Sequence, residues 1–519
     1  MITPISYWSE TAGFPLLTLL AVIPFCGMLY CFWQSSDTKA VSSAIVTSTL
    51  TLSLSLYLLS KFNGEKTGIQ FYEQFSFIGF SYSVGVDGLN ILFIPLTAIT
   101  TCLVIVYLSI KEIKISHRYV ACILAYEAII LAAFSALNVL QFWVLTLLEV
   151  IPIVGLIIEA GLNQKTRFLL IRILQYFGSS LLMTLCGFLL LAFGLIDSEH
   201  DLTFDLLTLK QNNAYLHDET LIFILLFYGF AIRMPLFPFH GWLPLLAEQG
   251  HLTALTILIV GLKLGVYAIV RFIFPIVPGV AEQWANFVLL LCIVSIFYGA
   301  ILAFMQNNGY RLLAFAIISH TGMLGLGIFS FNDHGLEGTL LLCLVYGLAS
   351  AGMLFSFQLI HQYTGTAIIH RLGDQFDRHV RLGVLFLITA LSTMIMPGSL
   401  GFDAGHMLLE GIIKEHEWIV AVTILVGNVL AAGFLLWAFQ RIFLARARRY
   451  RHVAHGVHGL WQERVLTFVI CGLHIGTGLN SLPLSNLIDQ DVEELVRQYP
   501  MHGDQQDAES QSLRQKEER

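Results

Sequence analysis

Apolar runs of about 20 residues recur along this chain with short polar breaks between them. Such a run is long enough to cross the hydrocarbon core of a bilayer as a helix. Lipid offers the backbone no hydrogen bonds, so only helices or a closed barrel can span it. The runs lie near 14–33, 42–60, 89–110, 119–137, 139–160, 169–195, 220–238, 252–272, 285–304, 310–330, 337–361, 383–413, 417–444 and 464–484. The stretch 383–413 is too long for one straight helix, and Met396-Pro397-Gly398 is expected to break it. The fold class expected is an all-α membrane protein of about 14 transmembrane helices. Composition agrees, with 56% hydrophobic and 12% charged residues, the latter about half the share usual in soluble domains.

Some chemistry is excluded at this level. The eight cysteines, at 26, 31, 102, 122, 186, 292, 343 and 471, sit in apolar stretches and form no CxxC pair. Neither a metal site, a disulfide framework nor iron–sulfur ligation is indicated, and there is no Gly-rich phosphate loop. No cofactor is expected in this chain, and no nucleic-acid partner. The start MITPISYWSETAG lacks the basic region of a signal peptide. Loops after odd-numbered spans carry roughly fifteen Lys and Arg and the others about five, which puts the odd set in the cytoplasm and both termini on the non-cytoplasmic side. The richest loop is ARARRYRH, 445–452. The net charge of −7 reflects polar loops and an acidic tail. That tail, from about 488, is expected to be disordered beyond a short helix.

The stretch RMPLFPFHGWLP, 233–244, sets a permanent charge beside three prolines within membrane-length sequence. Pro235 and Pro238 break one helix, as Pro397 and Gly398 break another. Broken helices are tolerated at that depth where protein or water surrounds the freed backbone groups. Residues 111–272 and 311–445 each hold one, which points to two inverted repeats.

Ionisable residues inside spans mark ion paths by default, because each is expensive to bury. Lys263 lies about ten residues from either end of its span, too deep to snorkel, and a buried amine can bind and release protons. Glu149, in LLEVIPIV, must pair or protonate; the plain alternative is a structural partner for a nearby cation. Arg233 cannot release its proton, so it tunes a neighbouring acid such as Glu149 or simply fixes packing. His320, in AIISHTGMLG, is a candidate shuttle or an ordinary core histidine. Asp403, His406 and Glu410 recur at helical spacing after the second break, as a local proton path, with Asp403 as a helix cap the alternative. His240 and Glu248 flank the first break and either act similarly or face water. Glu127 and Arg172 carry no assigned role.

These motifs resemble one family. VDGLNILFIPLTA (86–98), FSALNVLQFWVLTLLEVIP (134–152), RMPLFPFHGWLP (233–244), GLKLGVYAIVRF (261–272), YRLLAFAIISHTGMLGLGIFSFNDHGLEG (310–338) and MPGSLGF (396–402) occur in the order seen in the antiporter-like, proton-conducting membrane subunits of respiratory complex I, chiefly the chain-M (chain 4) type. Mrp-type cation/proton antiporters share that ancestry. The resemblance covers about residues 80–445. It implies an antiporter-like core over 111–445, preceded by N-terminal helices (1–110) and followed by a basic loop with the last helix (446–487) and a polar tail (488–519). By the same likeness Lys263 matches the eighth-helix relay lysine and His320 a central histidine. The chain is a divergent member. Arg233 stands where the family has lysine, Leu147 where it has its fifth-helix glutamate, Tyr346 where it has a histidine, and Gly405 or His406 where it has the twelfth-helix acid.

The reading that follows is a proton-translocating subunit of a complex-I-like NADH:quinone oxidoreductase in a bacterial inner membrane, with no redox or catalytic residue of its own. Its proton path would run through Glu149, Lys263, His320, Asp403, His406 and Glu410, tuned by Arg233. Its partners would be other membrane subunits, the bilayer, and protons or sodium. Two alternatives stay open: a Mrp-like antiporter or proton-driven partner in inorganic-carbon uptake, and a non-conducting structural subunit.

Overall fold

The computed structural model describes residues 4–77, 80–110, 115–196, 203–211, 218–249, 252–416, 418–446 and 461–497. Most of the basic loop at 445–452 and much of the tail lie outside them.

The first helices are α1 (Leu16–Trp33), α2 (Asp37–Lys61), α3 (Phe93–Leu108) and α4 (His117–Ser135). They are followed by α5 (Val139–Leu148), α6 (Val150–Glu159), α7 (Gln164–Ile196), α8 (Glu219–Arg233), α9 (Trp242–Gln249) and α10 (Leu252–Ala268). The second half holds α11 (Ala285–Phe304), α12 (Gly309–Ile328), α13 (Asp333–Thr364), α14 (Val380–Thr393), α15 (Leu400–Glu415) and α16 (Trp418–Phe439). Last come α17 (Trp461–Leu479) and α18 (Asp489–Val496). Ten described helical segments are long and apolar enough to cross a membrane, with shorter apolar helices at α3 and α14.

Side-chain caps fix several starts. Asn138, Asn308 and Asn332 each accept a backbone N–H of the first turn of α5, α12 and α13, which satisfies donors a helix start leaves orphaned. α10, α12 and α13 are buried almost throughout, while most of α1, α2 and α16 is left uncovered by the chain. The uncovered positions include many large apolar side chains (Phe25, Phe32, Val46, Leu425, Val429), as suits lipid contact. Both breaks fall where the prolines stand. α8 ends at Arg233 and α9 begins at Trp242, with a 3₁₀ turn at Phe239–Gly241 between them; α14 ends at Thr393 and α15 begins at Leu400, with Gly398 at φ +87°. In each half the helix after the broken pair, α10 or α16, ends in a π-turn, Ile269–Ile273 and Gln440–Leu444.

One element adds to the helical expectation. Strands β1 (Ile5–Tyr7), β2 (Ile69–Phe77) and β3 (Phe80–Val86) form a small sheet, β1 parallel to β2 and β2 antiparallel to β3, with Gln70 opposite Val86 and Phe75 opposite Tyr82. The aromatic-rich run IQFYEQFSFIGFSYSV carries the strand signal. The C-terminal helix α18 buries Val492, Leu495 and Val496, packs against α13 and lies beside this sheet. Asp491 there accepts N–H bonds from Gly68 (2.8 Å) and Gly88 (2.6 Å).

Candidate functional site

The fifth apolar span is interrupted at Glu149, which separates α5 from α6 and turns its side chain inward. Leu147, two residues back and about 200° round a helix, is 42% exposed. The interior carboxylate of this span is therefore Glu149. It accepts from Arg233 Nη1, and Tyr126 donates its hydroxyl to the other oxygen at 3.2 Å. Arg233 also donates from Nη2 to the Thr146 carbonyl (2.9 Å), and its guanidinium lies 5.3 Å from the centre of the Phe177 ring. Both partners are 3% exposed. Arg233 ends α8 at the proline break, so the break is what delivers the guanidinium to α5. The expected Arg233–Glu149 relationship is an ion pair, and truncating one partner would strand a buried charge.

α10 fits into this site by lacking a side chain. A Cβ at Gly261 would collide with the Tyr126 hydroxyl and come within 3.1 Å of Glu149 Oε1. A Cβ at Gly265 would meet Met234 N at 2.8 Å, just past the end of α8. Lys263 lies between them, about 200° from Gly261, so it faces away from Glu149 and toward α13. It is 4% exposed, and no ion pair to it occurs among the described residues. Its Nζ lies 5.9 Å from the centre of the Tyr346 ring. The same ring stacks on His320 at 4.4 Å and donates its hydroxyl toward Met323 Sδ (3.5 Å). Both His320 ring nitrogens are buried without a hydrogen-bond partner among the described residues. His320 is therefore not a core histidine bonded to a carbonyl among the described residues.

The third expected group lies elsewhere. α15 turns Leu400, Gly401, Ala404, Gly405 and Leu408 inward. His406 is exposed, and Asp403 and Glu410 are half-buried. Glu410 pairs with Lys414 at 3.1 Å and lies 3.8 Å from His334. Helical phase puts all three on the outer side of α15, away from Lys263, so the expected local path of Asp403, His406 and Glu410 does not continue inward from His320 along this helix. Asp403 is not the cap either. The cap position is Ser399, and Asp403 sits in the first turn. At the first break, His240 is buried against the rings of Phe237 and Tyr298, whereas Glu248 pairs with Arg311 at the surface (3.0 Å). Glu127 is fully buried, with neither carboxylate oxygen partnered among the described residues.

Sequence reading missed a second buried ion pair. Arg271, in the π-turn ending α10, donates from Nη1 to Asp87, which follows β3. The available signal was an arginine eight residues beyond Lys263 in the same apolar run. Nearby, burial and the charge of Asp87 push Asp491 well above the ordinary carboxylate range.

The family model for NADH:quinone oxidoreductase/Mrp antiporter transmembrane proteins matches residues 133–431. NADH-quinone oxidoreductase subunit M of Rickettsia bellii is 28% identical over 448 residues, covering 83% of this chain and 88% of that protein. Respiratory complex I from Thermus thermophilus with bound NADH contains a chain that superposes with a TM-score of 0.80 at 25% identity, covering 92% of this chain and 99% of that one. A chain of the Mrp complex from a Dietzia species shares the fold, with a TM-score of 0.81 at 16% identity, covering 93% of this chain and 99% of that one.

Proposed function

Because the chain belongs to the NADH:quinone oxidoreductase/Mrp antiporter transmembrane family, we propose that it is a proton-translocating membrane subunit of a complex-I-like NADH:quinone oxidoreductase. It moves protons along buried ionisable groups and holds no redox centre; electron transfer and quinone binding belong to partner subunits. The observation that carries this reading is Lys263, an amine in the middle of a fully buried helix, whose charge is met by an aromatic face in place of a carboxylate. Such an amine costs several kcal/mol to keep charged, and the handling of protons is a reason to retain it.

In this reading Glu149 is the acid of the first half, held by the fixed charge of Arg233, and Lys263 exchanges protons with His320 beside Tyr346. Asp403, His406 and Glu410 act at the outer side of α15, against a neighbouring subunit or water. The membrane is a bacterial inner membrane, and both termini lie on its non-cytoplasmic side.

The test is proton uptake by vesicles holding the intact complex. Lys263→Ala and Lys263→Arg should both lose flux, because Arg keeps the charge but cannot release its proton. Undiminished flux in Lys263→Ala would mean a non-conducting structural subunit. Recovery in Lys263→Arg alone would mean that a fixed charge suffices. A tag at residue 450 should be reached only from the cytoplasmic face.

One observation favours a second reading. Arg233 is a fixed cation where the family has a titratable lysine, which suits a gradient-driven cation/proton antiporter or a proton-driven partner in inorganic-carbon uptake. Flux driven by an imposed ion gradient and indifferent to NADH would select it.

A further inference from the structure

A cleft of about 60 Å³ lies between the small sheet, the C-terminal helix α18 and the π-turn at the end of α10. Its charged lining is Asp87, Arg271, Asp491, Glu494 and Lys210, the last on a short helix at Leu206–Gln211. Arg271 and its partner Asp87 are both more than nine-tenths buried. Arg271 Nε and Nη2 have no hydrogen-bond partner among the described residues, although the side chain lines this cleft. Two unmet guanidinium donors are costly to leave dry, and the adjoining cleft has room for the water that would meet them.

The same helix face continues inward. Lys263, Tyr267 and Arg271 recur at four-residue spacing, which stacks them along one side of α10. Arg271 lies roughly 12 Å along the axis from Lys263, at 1.5 Å per residue, with Tyr267 halfway. The Tyr267 ring is held by Phe93, Phe134 and Phe272 at 5.5 to 6.4 Å. Its hydroxyl is buried with no hydrogen-bond partner among the described residues. A file of polar groups thus runs from the central lysine to an open cleft, on the side of α10 that the Glu149 site does not use.

We propose that Lys263 has a second connection to water, through the Tyr267 hydroxyl and the Arg271–Asp87 pair to the cleft lined by Asp491. A proton leaves the Lys263 ammonium, is relayed past the Tyr267 hydroxyl by water, is taken up by the Asp491 carboxylate and is released to bulk water; Lys263 is left as the neutral amine. Arg271 keeps its charge throughout and acts as a positioning residue that holds Asp87 and orders water. Three acids against two bases at the mouth make it attractive to a proton. A purely structural Arg271–Asp87 pin, tying the turn after β3 to α10, needs neither the cleft nor the tyrosine hydroxyl.

The route rests on the function proposed above, and two measurements separate their fates. In vesicles holding the intact complex, Tyr267→Phe removes one hydroxyl and keeps the ring packing. Proton flux should fall about a hundredfold, the low end of what a positioned proton-transfer group contributes, while Arg271→Lys retains more flux than Arg271→Met. Unchanged flux in Tyr267→Phe with Lys263→Ala inactive overturns the route and leaves the function standing. The second measurement needs no pumping. Tyr267→Cys is treated with a small cationic methanethiosulfonate from the face bearing α18, and peptide mass spectrometry compares labelling at 267 with the native, fully buried Cys292. Labelling about tenfold faster at 267 supports the wet connection, since thiol reactivity follows access. Labelling no faster than at Cys292 overturns it, whether or not the vesicles pump.

Discussion

The Lys263 ammonium and the Tyr346 ring face each other at 5.9 Å, and that one ring also stacks on His320. Tyr346 therefore contacts both candidate proton carriers through one ring. A cation over a desolvated ring gains about 2 kcal/mol, enough to replace part of what a carboxylate would supply.

Tyr346→Phe keeps the ring and should leave proton flux within about twofold of the unaltered complex, because only a weak contact to sulfur is lost. Tyr346→Leu removes the ring and should lower flux more than tenfold, the equivalent of about 2 kcal/mol. Equal flux in the two variants would show that the ring has no part in the path.

Arg233→Ala strands the Glu149 carboxylate in the interior. It should destabilise the purified protein by about 3–5 kcal/mol, whereas the double variant Arg233→Met/Glu149→Leu should lose much less. Thermal unfolding in detergent reads the difference. A double variant as unstable as the single would mean the pair is not what sets the cost.

Gly261→Ala forces a methyl group into the Tyr126 hydroxyl beside Glu149. Overpacking of this kind costs about 1–3 kcal/mol. Tyr126→Phe in the same chain should recover much of the loss by opening the space the hydroxyl filled. Additive losses in the double variant would place the strain elsewhere.

Docking of α18 should depend on pH through Asp491, which faces Asp87 and Arg271 with Lys210 and Glu494 in the same cleft. Burial, then the Asp87 charge, push Asp491 up to about 7. The docked state holds the proton more tightly than a free aspartate does. Docking is therefore strongest below the ordinary aspartate value, weakens as pH rises through about 7, and is flat above that. Hydrogen exchange over 489–496 should show this slope, and Asp491→Asn should abolish it. A slope that survives in Asp491→Asn assigns the effect to another group.

The sequence by itself determined that the chain lives in lipid as helices, where two of them break, and that Glu149, Arg233, Lys263 and His320 are buried deep. These follow from run length, proline position and the cost of an ionised group in hydrocarbon, all of which are local. The tertiary structure decided which of those charges meet. Arg233 and Glu149 are 84 residues apart in sequence, and the broken end of α8 brings them together. Asp403, His406 and Glu410 share spacing with a buried row, but the packing of α15 turns its glycines and leucines inward instead. Arg271 found Asp87 across 184 residues, a pairing set by how α10 and the turn after β3 pack. Periodicity says which residues share a face, and only the packing of neighbouring helices says where that face points.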